Sequence, residues 1–109
     1  MATGRLGSAD LTAATYTPLY VVPANTYTAI SVNFVNRSNT TVNVRLSLSA
    51  TANIGSPIAS EWIEYNTQLT GNQVLERTGL IADTGANIVV WASSALVTAF
   101  AYGIESSTT

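Results

Sequence analysis

Thr41-Val42-Asn43-Val44-Arg45-Leu46-Ser47-Leu48-Ser49-Ala50 decides the fold class of this chain. Val42, Val44, Leu46, Leu48 and Ala50 share one side of a two-residue period. Thr41, Asn43, Arg45, Ser47 and Ser49 share the other. Five consecutive matches predict a strand with one buried face and one wet face. A helix would scatter the same apolar residues around its circumference.

The pattern repeats upstream. Over Thr28–Asn36, Ile30, Val32 and Phe34 alternate with Ala29, Ser31, Asn33 and Val35. The link Asn36-Arg37-Ser38-Asn39-Thr40 is rich in turn formers and short enough to predict a hairpin with the following strand. Tyr16–Val22 also reads as a strand. Pro18 inside it and Pro23 after it place it at a sheet edge or at a bulge, because proline donates nothing to a ladder. Residues 1–14, small and polar, read as an extended N-terminal arm.

Downstream, Thr51–Ser60 contains Gly55 and Pro57 and reads as a loop. Strands follow over Glu61–Thr67, Gln73–Thr78, Ile88–Ser93 and Leu96–Ile104, separated by Gly- and Asn-bearing turns. Residues 106–109 read as a polar tail. The chain is thus expected to be all-β, one antiparallel β-sandwich or jelly roll of about seven or eight strands over residues 15–105. With 109 residues it has room for one domain and one core.

Charge narrows the function. Only 9% of residues are charged, there is no Lys, and net charge is -2. A soluble domain averages about 25% charged residues. Four scattered Arg form no phosphate-binding patch, so neither nucleic acid nor a membrane surface is an expected partner. Thr, Ser and Asn supply the polarity instead, 36 of the residues. A surface so weakly charged is poorly protected against association, and charge is depleted at the centre of subunit interfaces. Much of this surface is therefore expected to face other subunits. No apolar stretch approaches the ~20 residues of a spanning helix, and no signal-peptide pattern is visible, so synthesis in a cytoplasm is expected.

Catalytic chemistry has few candidates. Without His or Cys, Ser-His and Cys-His mechanisms and most zinc sites are excluded. Six acids remain. Glu61 and Glu64 lie three apart and would point to opposite faces of a strand. A glycosidase needs two carboxylates facing one bond, and a hard metal ion needs several oxygen ligands close together. The spacing offers neither, so no catalytic, cofactor-binding or metal-binding residue is assigned. Asn36-Arg37-Ser38 and Asn39-Thr40-Thr41 match the glycosylation triplet but read as turn chemistry. The expected interface residues are Arg5, Leu6 and Leu11, on an arm that would clamp a neighbour, and Trp62 and Trp91. Each Trp sits opposite the more aliphatic face of its strand.

Several short stretches carry a family resemblance. They are Gly4-Arg5-Leu6-Gly7 with Asp10-Leu11, Leu19-Tyr20-Val21-Val22-Pro23-Ala24, Asn36 at a strand end, Tyr65 with Val74-Leu75-Glu76-Arg77-Thr78-Gly79, and Tyr102-Gly103-Ile104-Glu105. Across nearly its whole length the chain resembles small β-rich structural proteins of tailed-phage virions. The resemblance implies capsid decoration (cement) proteins or head-fibre and tail-associated components, commonly trimeric and without enzymatic activity. It implies a phage major capsid protein or another virion protein as partner, and a place in the virion after assembly in the host cytoplasm. The alternative is a carbohydrate-binding adhesin module at a tail or fibre tip. There Trp62, Trp91 and exposed Tyr residues would stack on sugar rings while Asn and Thr bond hydroxyls.

Overall fold

Alternating apolar residues build eight strands in the computed structural model, which describes residues 3–51 and 55–108. They are β1 (Thr3–Asp10), β2 (Thr17–Val21), β3 (Thr26–Asn36), β4 (Val42–Ser49), β5 (Trp62–Leu69), β6 (Val74–Ala82), β7 (Asn87–Ala92) and β8 (Val97–Ser107). One sheet has the order β1-β8-β3-β6 and the other β2-β7-β4-β5. All pairs are antiparallel.

The pairing has a simple logic. The first strand pairs with the last, the second with the seventh, the third with the sixth, and the fourth with the fifth. The chain is one long antiparallel ribbon, bent between β4 and β5 and wrapped around a core. That is an eight-strand jelly roll. The expected sandwich class is correct, and the strand order selects the jelly-roll form of it.

The core lies between the sheets. β3 contributes Ile30, Val32 and Phe34, β4 contributes Val42, Val44 and Leu46, and β7 contributes Ile88, Val90 and Ala92. β8 contributes the smaller Val97, Ala99 and Ala101. Ala99 stands beside Phe34 in the register, so a small residue makes room for the largest buried ring. Along β8 the bulky Phe100 and Tyr102 alternate outward.

Three sequence expectations are corrected. The hairpin expected over Asn36–Thr40 is a crossing between sheets, because β3 and β4 lie in different layers. Buried Asn36 holds that crossing. Its Nδ2 donates to the carbonyls of Thr40 at 2.8 Å, Leu69 at 3.1 Å and Thr70 at 3.1 Å. Its Oδ1 accepts from the Ser38 backbone N–H at 3.0 Å. The N-terminal arm is instead strand β1, an edge of its own domain, paired with β8 from Thr3↔Ile104 to Asp10↔Thr98. Leu11, 3% exposed, and Leu6, packed on the core, belong to their own subunit's interior and not to a clamp on a neighbour. Backbone bonds hold this segment, and its small polar side chains gave no alternation to read. The C-terminal tail is also partly strand, since Thr26↔Ser107 and Tyr27↔Ser106 extend β8.

The register shifts follow a rule. Each of the four edge strands carries at least one: β1 near Leu6, β2 near Leu19, β5 around Tyr65-Asn66 and again at Ile63, and β6 around Thr78-Gly79. The central pairs β3–β8 and β4–β7 run without a shift. Bulged edges are poor templates for another strand. Extension of either sheet by a further strand is therefore disfavoured. The edge position expected for the Pro18 strand is correct, and so is the bulge.

Two polar pins tie the sheets together. At one end, the Tyr20 hydroxyl of β2 donates to the Glu105 carboxylate of β8 and lies 2.9 Å from the Thr28 hydroxyl of β3. At the open side, Arg77 of β6 pairs with Glu64 of β5, whose other oxygen accepts from Thr67 at 2.6 Å. Burial, reinforced by Glu105, pushes the Tyr20 phenol up to about 12 from 10.0. A raised phenol pKa adds stability that is complete below pH 10.0 and is lost as pH rises through about 12. Tyr20→Phe is therefore expected to melt below the parent at pH 8, with the gap closing as pH rises from 10 to 12. Melting curves across that range check it.

Candidate interaction face

The outer face of the β2-β7-β4-β5 sheet is divided in two. On one half Ser47, Ser49, Asn87 and Val89 are buried although they point away from the core. Glu61 accepts from the N–H groups of Ala50 at 2.9 Å and Ile58 at 3.0 Å. Asn87 Nδ2 donates to the carbonyls of Ser49 and Ala50, both at 3.2 Å.

The other half is open and carries Arg45 inside a ring of aromatics. In the β4–β5 ladder Val44 pairs with Thr67 and Leu46 with Glu64, so Tyr65 and Asn66 both stand opposite Arg45. This is a β-bulge, and it aims two side chains at one. Asn66 takes the left-handed conformation there, φ 55°, which Asn tolerates better than most residues. Its Oδ1 accepts from Arg45 Nε at 2.8 Å, and the Tyr16 hydroxyl accepts from Nη1 at 2.8 Å. The guanidinium carbon is 4.0 Å from the Trp91 ring centre and 4.3 Å from that of Tyr65. Trp62 packs edge-on against Tyr65 at 5.1 Å and beside Tyr16 at 5.7 Å. Cation–π contact and planar stacking both favour Arg over Lys at such a place.

The outer face of the other sheet is apolar in a different way. Ala29 of β3 pairs with Ile104 of β8 on one side and Ile81 of β6 on the other. The isoleucines are 56% and 63% exposed, and Tyr27 stands on the same face of β3. Val74, also exposed, stands beside Val35 at the far end of the face, beyond Ser31, Asn33 and Glu76. Isolated exposed apolar residues need no explanation, but a contiguous row across three strands is a candidate contact surface.

Of the residues singled out from sequence, Trp62 and Trp91 are brought together around Arg45, half-buried as their strand faces predict. Arg5 stands exposed on β1 opposite Tyr102, on the apolar sheet's outer side. Leu6 and Leu11 are elsewhere, in the core. Sequence reading missed Arg45, Tyr16 and Tyr65 as members of the cluster. Arg45 is one wet-face residue among five on β4, and only the bulge at Asn66 gives it its surroundings.

The six carboxylates are each engaged within the chain. Asp10 pairs with Arg37 at 2.5 Å, Glu64 with Arg77, Glu76 with Tyr102 and Glu105 with Tyr20. Glu61 holds two backbone N–H groups, and Asp83 accepts from the Thr84 N–H at 2.7 Å.

No protein-family model matches this chain, and no curated protein matches it. Among solved structures, a chain from the capsid of Ralstonia phage GP4 is similar in fold, with 15% identity and a TM-score of 0.46. The match covers 94% of this chain and 81% of that one.

Proposed function

We propose that this chain is a structural protein of a phage virion, specifically a capsid decoration (cement) protein without catalytic activity. The observation that carries this reading is the exposed apolar row Ile81–Ala29–Ile104 on a domain whose every edge strand is bulged. Such a domain associates through its faces. The family resemblance of the sequence supplies the setting, since a jelly roll by itself serves many roles. Copies pack as a homo-oligomer, a trimer on the resemblance, and sit on the major capsid protein or another virion protein. Buried apolar area contributes about 25 cal/mol per Å², of which association costs remove most. Repetition around a shell then multiplies a small net gain per copy.

The experiment is reconstitution. Heads prepared without this chain are mixed with the purified protein and sedimented. Saturable co-sedimentation is expected, together with heads that resist heat or dilution better when decorated. Protein that stays in the supernatant at every concentration contradicts the role.

A carbohydrate-binding role is the second reading, and the aromatic cluster favours it. Asn43 and Gln68 pair across β4 and β5 next to the rings, and their amides are suited to bonding hydroxyls. Retention on a glycan array that disappears in Trp62→Ala selects this reading over the first.

A further inference from the structure

We propose that Arg45 and the rings around it form a receptor for a carboxylate, an Asp or Glu side chain presented by the virion protein on which this chain docks. The inference deepens the decoration role and rests on it.

Charge complementarity carries it. Arg37 and Arg77 each have a carboxylate partner. The bonds of Arg45 go to two neutral oxygens, those of Asn66 and Tyr16. Its positive charge is half-buried among Trp91, Tyr65 and Trp62, with no counter-ion among the described residues. A fixed, partly desolvated guanidinium pairs with a carboxylate more strongly than a mobile surface one, because its geometry is already set. Two donors are available for the incoming oxygens. Nη2 has no partner among the described residues. The Tyr16 hydroxyl accepts from Nη1, so its own hydrogen is free to donate.

The source of the carboxylate follows from the rest of the chain. The apolar row Ile81–Ala29–Ile104 lies on the outer face of the opposite sheet and is assigned to contact between copies, which leaves the Arg45 face to the virion protein. The face is open, with no cavity among the described residues, which suits a side chain standing on a broad surface. Tyr, Trp and Arg are also the residue types that anchor protein interfaces.

Heads lacking the chain are titrated with labelled wild-type protein, Arg45→Gln and Arg45→Lys, and bound protein is measured by sedimentation. Arg45→Gln is expected to raise the half-saturating concentration about tenfold or more. Arg45→Lys keeps the charge but not the planar fork and is expected to fall between the two. Added salt is expected to weaken the wild type more than Arg45→Gln. Should Arg45→Gln not fold, Tyr16→Phe removes the second donor with its ring in place and is expected to weaken binding in the same assay. A folded Arg45→Gln that binds heads as the wild type does overturns the inference and leaves the decoration role standing. Wild-type protein that ignores heads overturns the decoration role itself. Wild-type retention on a polyuronate resin but not on heads, lost in Arg45→Gln, assigns the site to an acidic glycan and overturns the protein partner.

Discussion

Asn36→Leu is expected to destabilise the domain by about 3–5 kcal/mol, read as a fall in the urea midpoint with an unchanged slope. The two side chains are similar in size, so the substitution leaves little cavity. What it removes is a set of donors. The carbonyls of Leu69, Thr70 and Thr40 lose the Nδ2 group, and the Ser38 N–H loses its acceptor. The Leu69 carbonyl and the Ser38 N–H bear most of the loss, at about 1–3 kcal/mol for each group left unpaired, because the Thr70 carbonyl keeps the Gln73 N–H and the Thr40 carbonyl keeps the Ser38 hydroxyl. These groups belong to the β3–β4 crossing and the β5–β6 turn, so one side chain ties two connections of the ribbon. A midpoint within error of the parent would show that water satisfies those carbonyls and that Asn36 is replaceable.

Gly103→Ala is expected to destabilise by about 3 kcal/mol, through overlap and not through a lost contact. A Cβ at this position would fall on the carbonyl oxygen of Ala29 in β3 and within 2.9 Å of its carbon. Neither atom can rotate away, because β3 and β8 form an unshifted pair along their whole length. Gly79 supplies the contrast. It has φ 78° in the β6 bulge, and a Cβ there would meet nothing within 4 Å. Gly79→Ala carries only the strain of the left-handed conformation, about 1–2 kcal/mol. Equal losses for the two alanine variants would refute the close-approach account of Gly103.

Local alternation made the central strands legible. Val42, Val44 and Leu46 lie in the core as their period predicts, and so do Ile30, Val32 and Phe34. Pro18 gave the edge position of β2. Three things were hidden. Strand β1 has Gly4, Gly7 and Ser8 where a readable strand would alternate, because an edge strand held by backbone bonds needs few apolar side chains. The crossing at Asn36–Thr40 looked like a hairpin, because turn residues report that the chain reverses and not which sheet it joins. The pairing of first strand with last joins residues a hundred positions apart, for which local sequence holds no signal.

The site was legible in half. Trp62 and Trp91 declared themselves by standing on the wet side of their strands. Arg45 did not, since its surroundings depend on a bulge that sets Tyr65 and Asn66 against a single residue. Tyr16 lies before β2 and reaches the cluster only through the β2–β7 pairing. A general lesson for sheet surfaces follows: a bulge opposite a lone Arg concentrates side chains that regular alternation would disperse.

The most direct measurement is an electron-microscopy reconstruction of phage heads incubated with this protein. Jelly-roll density is expected at symmetry-related positions on the shell, in clustered copies. Ile81 and Ile104 should be covered between copies, and Arg45 should meet an acidic side chain of the shell. Bare heads at saturating protein, or density attached through a strand edge with both broad faces open to solvent, would contradict this expectation.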